Sequence, residues 1–217
     1  MAQLDFRLDD DVQRASRELG HKLKDIAMER VAIEFEKLMV GPAYRKALAA
    51  MLDLGIHQYL PNVSAELIER VIADKRKPIN PVGGWALFVH HAAAPDWLTP
   101  WKRSNALKRE ANVLARLFTT GLDTFTIYET TTETLATYLE MSGRPETAEQ
   151  LKRQLSIQSR RELRFDGRDA LEIGARGPRI KQVLAHVERL VLDGELANEP
   201  EPLRKEAEQW LQHAEKY

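Results

Sequence analysis

Apolar residues recur at i, i+3, i+4 and i+7 along most of the chain, and no segment sustains the two-residue alternation of a half-buried strand. The pattern predicts an all-α fold, an elongated multi-helix array. Asp9, Asp10 and Asp11 form an acidic first turn for a helix running to about Gly20. From Ile26 to Val40, Met28, Val31, Ala32, Phe35, Leu38 and Met39 make one apolar face. Glu29, Arg30, Glu34, Glu36 and Lys37 take the other side, with Arg30 and Glu34 spaced to pair and Asp25 the expected cap. Gly41-Pro42 breaks the chain before a helix over Tyr44 to Leu54, with Ala47, Leu48, Met51 and Leu52 inward. Ser64 and Ser104 cap helices reaching Ala73 and Phe118. Asp123 to Met141 reads as one helix and Glu146 to Leu155 as the next, while Trp85, Phe88, Trp97 and Trp101 read as core aromatics. Glu199 to Pro202 reads as a turn before a last helix over Leu203 to Tyr217.

Leu155 to Asn198 is the stretch around which the chain is organised. Asp166-Gly167 turns, and Arg168 to Ile173 winds a short helix stopped by Gly174. Gly177-Pro178 starts another, with proline where a missing N–H costs nothing. Its apolar stripe is Ile180, Val183, Leu184, Val187, Leu190 and Val191, and Gly194 ends it. Arg176, Arg179 and Lys181 therefore flank the free donors of a helix start, a place that suits a phosphate.

The length of 217 residues suffices for one large or two small domains, and 43% hydrophobic with 30% charged residues describes an ordinary soluble protein. No apolar run approaches a membrane span, and no signal peptide opens the chain. The absence of cysteine excludes disulfides and thiolate metal sites and suits a reducing cytoplasm. A net charge of −1 argues against indiscriminate coating of nucleic acid. Its distribution is uneven: Arg144 to Lys181 holds ten cations against six anions, and the balance reverses after Gly194. On charge alone, a shaped RNA surface and a solvated helical face fit equally well.

Other features yield little chemistry. Lys75-Arg76-Lys77-Pro78 reads as a solvated turn first and an RNA contact second, and Gly83-Gly84 lacks the Lys-Ser/Thr of a phosphate loop. His90 and His91 are helix neighbours about 100° apart, so the expectation is that they cannot face one ion and that no metal binds. No His-Asp doublet of the metal-dependent phosphohydrolase kind occurs.

The order of residues is more specific. L-x-I-x-S-R-x-x-L, G-x-D, G-x-x-G-P and V-x-x-G-x-L-x-N fall at Leu155 to Leu163, Gly167 to Asp169, Gly174 to Pro178 and Val191 to Asn198. This succession resembles the tail of bacterial CCA-adding tRNA nucleotidyltransferases, members of the poly(A) polymerase-like class, although Ser156 stands where proline is usual. Near the N-terminus, AQLDF at 2–6 and E-R-x-x-x-E at Glu29, Arg30 and Glu34 resemble the neck of the same family, with Ala27 where serine often caps. The match is strongest over 2–61 and 155–198.

The resemblance implies a neck over 1–61, a helical body over 62–150 and a tail over 151–217. Glu29, Arg30 and Glu34 would brace the nucleotide pocket. Arg160, Arg161, Arg164, Arg176, Gly177, Arg179 and Lys181 would meet the backbone of the tRNA acceptor stem and elbow. The family's catalytic carboxylates, with Mg²⁺, ATP and CTP, belong to an N-terminal head, and its Glu-Asp-x-x-Arg template motif precedes the phrase at which this sequence opens. The expectation is a truncated chain with an added start methionine, inactive alone, holding no cofactor, binding no DNA or membrane, with homodimerisation left open. The competing reading is a stand-alone helical protein-interaction module whose basic patch is incidental.

Overall fold

The structure is a computed structural model and describes residues 1–214; the expected helical continuation to Tyr217 lies beyond that range. Among the described residues there is no strand, as expected. The helices are α1 (Asp10–Leu19), α2 (Met28–Met39), α3 (Tyr44–Asp53), α4 (Ala65–Ala73), α5 (Pro81–Ala92), α6 (Asn105–Thr120), α7 (Thr124–Glu129), α8 (Thr132–Met141), α9 (Ala148–Arg153), α10 (Gly167–Glu172), α11 (Pro178–Leu192) and α12 (Pro200–Ala214). None is long and apolar enough to cross a membrane. The chain forms two compact units, one from Met1–Gly121 with Glu133–Pro145, the other from Leu122–Thr132 with Glu146–Tyr217.

The capping chemistry is largely as the sequence predicts. Asp9, Ser64 and Ser104 each accept a backbone N–H three residues on, which satisfies a donor the helix cannot. Asp25 does not cap α2; Ala27 occupies the cap position and offers no side-chain bond. The expected helix over Asp123 to Met141 is two helices, α7 and α8. Thr130 between them is extended, in keeping with the stiffness of β-branched residues in a threonine run. Glu199 to Pro202 is not a separate turn, because α12 begins at Pro200 with proline in its tolerated first-turn place.

The first unit is built on an aromatic core. Trp85 and Trp101 are fully buried, and Phe35, Phe88 and Trp97 nearly so. Phe35 stacks on Trp101 at 4.9 Å between ring centroids, and Phe88 stacks on Trp97 at 5.3 Å. Gly84 lets α5 approach α2 closely: a Cβ there would meet the Met39 side chain at 3.0 Å. The second unit has an aliphatic core led by Ile157, Val183, Val187, Val191, Leu203 and Leu211, with Phe165 the one buried aromatic ring among its described residues. Trp210 of α12 stacks on His186 of α11, and the His186 ring meets Glu206 at 2.8 Å.

Candidate nucleic-acid interface

The basic stretch of the second unit is organised by one acid that the periodicity left on the solvent side. Glu188 of α11 is 2% exposed. Its Oε1 accepts from the Tyr128 hydroxyl at 2.7 Å and from Arg160 Nε at 3.1 Å, while Oε2 accepts from the same Nε at 3.0 Å and from Arg160 Nη2. A buried carboxylate so paired avoids the penalty of an isolated charge. The bonds to Glu188 hold the Arg160 guanidinium firmly protonated, and burial followed by the Glu188 bond pushes the Tyr128 phenol well above its ordinary value. The Arg160 side chain keeps 52% of its surface open, so one edge is anchored and the rest faces solvent.

Asn198 fixes the loop that follows. Its Oδ1 accepts from Arg164 N at 2.8 Å, and its Nδ2 donates to the Glu162 carbonyl at 2.8 Å. Arg164 then pairs with Glu199 at 2.8 Å in an exposed bridge. Ser156 donates to the Val191 carbonyl at 2.7 Å, a bond that proline could not make. Lys152, half-buried, donates to the Ile127 carbonyl at 3.0 Å, and burial lowers its ammonium.

The bend before α11 forms as predicted. Asp166 and Asp169 close a capping box on α10, and Gly174 and Gly177 take φ of +96° and +53°, a region that suits glycine. Arg176 is turned onto this bend, donating to the Leu171 and Ala175 carbonyls at 2.7 and 2.8 Å. Arg179 and Lys181 sit in the first turn of α11 but two residues apart, about 200° around the helix, so they project to different sides. The side chains of Arg161, Arg168 and Lys181 are exposed and make no hydrogen bond or ion pair among the described residues, although the Arg168 backbone N–H donates to Asp166. The predicted cations thus divide between a framework (Arg160, Arg164, Arg176) and free charges (Arg161, Lys181), with Arg168 a free charge the sequence reading did not single out.

In the first unit, Glu29, Arg30 and Glu34 are all exposed on α2. Glu34 pairs with Lys37 at 2.8 Å rather than with Arg30. Glu34 and Lys37 border an open groove of about 440 Å³ with Leu4, Leu38 and Met51. The acid that the reading misplaced is Glu36, 8% exposed. It accepts from Trp85 Nε1 at 2.7 Å and from Arg103 Nη2 at 3.0 Å, while Arg103 Nε stands 2.7 Å away at an angle that makes the contact coulombic rather than a hydrogen bond. Both missed acids carried a signal. Glu36 lies four residues after Ala32 and three before Met39, and Glu188 lies four after Leu184 and three before Val191, so each interrupts an apolar stripe.

The basic loop at 75–77 is not simply solvated. Arg76 binds Asp74, with Nη2 at 2.5 Å from Oδ2, and its guanidinium lies over the Phe118 ring at 4.0 Å. The helix spacing does not separate His90 from His91 either, since their ring centroids are 4.9 Å apart.

Two family models match the chain. One is described as "Probable RNA and SrmB-binding site of polymerase A" and covers residues 5–67. The other, tRNA nucleotidyltransferase domain 2, covers residues 82–207. Among curated proteins, the CCA-adding enzyme of Bacillus licheniformis is 33% identical over 97% of this chain and 57% of its own length. That of Anoxybacillus flavithermus is 30% identical over 94% of this chain and 56% of its own. A crystal structure of the Bacillus stearothermophilus CCA-adding enzyme in complex with CTP superposes with a TM-score of 0.79 at 24% identity, covering 99% of this chain and 60% of that one, which establishes a shared fold. The chain therefore spans a little over half the length of the relatives it matches.

Proposed function

The chain belongs to the tRNA nucleotidyltransferase family, and from that premise we propose that it is the tRNA-holding portion of a CCA-adding enzyme. The complete enzyme would transfer CMP and AMP from CTP and ATP to the tRNA 3′ end in the cytoplasm. The work of this portion is positional: the neck, body and tail over 1–61, 62–150 and 151–217 would support the substrate while carboxylates outside this sequence, with Mg²⁺, perform the transfer. Alone, the chain would add no nucleotide.

The observation that carries this reading is the division of the basic stretch. Glu188 and the Leu171 and Ala175 carbonyls hold the Arg160 and Arg176 side chains, and Asn198 holds the Arg164 backbone; beside that frame the side chains of Arg161, Arg168 and Lys181 stand exposed with no partner among the described residues. Free cations on a rigid scaffold suit phosphates whose spacing is set by a folded RNA, and interactions of this kind set register without reading bases. An enzyme serving every tRNA needs that property. The test is binding of the full chain to tRNA lacking CCA, with an RNA hairpin and duplex DNA as controls. Preference for tRNA that fades steeply with salt is expected. Salt-insensitive binding without that preference would favour a protein-interaction module instead.

A further inference from the structure

We propose that Asp74, His90 and His91 form a divalent-metal site in the first unit, with two imidazole nitrogens and one carboxylate oxygen as ligands. One ligand atom from each lies within 4.8 Å of the others. Two nitrogens and a carboxylate oxygen, none of them thiolate, suit Zn²⁺ and leave a position for water.

The chain brings these groups together at the end of two helices. Asp74 is the C-cap of α4, and His90 and His91 occupy the last turn of α5. Ala93 then takes φ of +52°, a left-handed conformation uncommon for alanine, which ends α5 directly after the histidines. His91 Nε2 is already 2.8 Å from Asp74 Oδ2. His90 Nδ1 meets Thr119 Oγ1 at 3.2 Å, the kind of contact that orients a ligating ring. Ligands on a tetrahedral zinc at about 2.0–2.1 Å stand roughly 3.3 Å from one another, so side-chain rotation of an ångström or two closes the set. His90 also borders an open groove of about 650 Å³ with Arg109, Asn112 and Arg116, through which a hydrated ion can reach it.

Arg76 decides the behaviour of the site. Its guanidinium occupies the Asp74 carboxylate and is the resident cation. A divalent ion must share that carboxylate with it or displace it, so the arginine weakens metal binding while holding the ligand in place. A bound ion would tie the segment after α4 to the end of α5.

The experiment is calorimetric titration of the full chain, stripped with chelator, with Zn²⁺, alongside Co²⁺ absorption in the visible. Wild type should take up one equivalent with tetrahedral Co²⁺ bands and a raised melting temperature. His90→Ala, which leaves the Asp74 pairs intact, should weaken binding at least tenfold, as should His91→Gln. Arg76→Gln should bind more tightly than wild type, and His21→Ala, at an exposed position outside the cluster, should bind as wild type does. Unchanged affinity in both cluster histidine variants, loss of binding in His21→Ala, or no binding by either wild type or Arg76→Gln, overturns the assignment.

Discussion

The two units bury a glutamate in the same sequence register and use it differently. In α2 the carboxylate of Glu36 meets Trp85 and Arg103, and the side chains of the ion pair are 10% and 21% exposed. In α11 the carboxylate of Glu188 meets Tyr128 and Arg160, and there the side chains are 2% and 52% exposed. Each glutamate therefore has one arginine and one aromatic donor. The first pair is closed within an aromatic core and can only hold it together. The second fixes one edge of a guanidinium and presents the rest to solvent. A buried acid can therefore be a rivet or a mount, and the exposure of its arginine separates the two.

The largest expected effects come from stranding either acid. Arg103→Ala and Arg160→Ala each leave a buried carboxylate with only an aromatic donor, and each should cost about 3–5 kcal/mol in denaturant titration. The comparison is sharpened by the double variant Arg160→Met with Glu188→Leu, which should recover most of that stability while tRNA binding stays weak and its salt slope lower by about one. Recovery of affinity along with stability would make Arg160 a rivet too.

Acid separates the units in another way. Asp74 is held at about 2 against an ordinary value near 3.8, chiefly because Arg76 and His91 overcome its burial. A depressed carboxyl stabilises the fold above its ordinary value and loses that contribution as pH falls toward the lowered one. Stability of the first unit should therefore drop between about pH 4 and pH 2, and Asp74→Asn should flatten that limb of the acid titration.

Smaller effects lie at the mount's edges. Asn198→Ala removes two bonds to the 162–164 loop and should cost about 1–2 kcal/mol while loosening Arg164, visible as faster amide exchange at Arg164. Ser156→Pro trades a hydroxyl bond to Val191 for a stiffer turn and should change stability by about 1 kcal/mol or less.

Helix positions were legible where local chemistry acts alone. Caps at Asp9, Ser64 and Ser104, the proline start at Pro178 and the glycine bends at Gly174 and Gly177 follow from donors and φ angles within a few residues. The break at Thr130 was not legible, because it separates helices that belong to different units. The buried roles of Glu36 and Glu188 were hidden for a related reason. Their partners lie 49 and 67 residues away for Glu36, and 60 and 28 away for Glu188. A long-range contact likewise carries Arg76 out of a solvated loop and over Phe118, while its pairing with Asp74 is local, two residues apart.

The most direct test of the central claim is a salt titration of binding to tRNA lacking CCA by the wild-type chain and by Arg161→Ala/Arg168→Ala/Lys181→Ala. The three side chains are exposed and without partners among the described residues, so stability should hold within about 0.5 kcal/mol per substitution. The account predicts weaker binding and a salt slope reduced by about three, one for each phosphate no longer neutralised. An affinity and slope equal to wild type would contradict it.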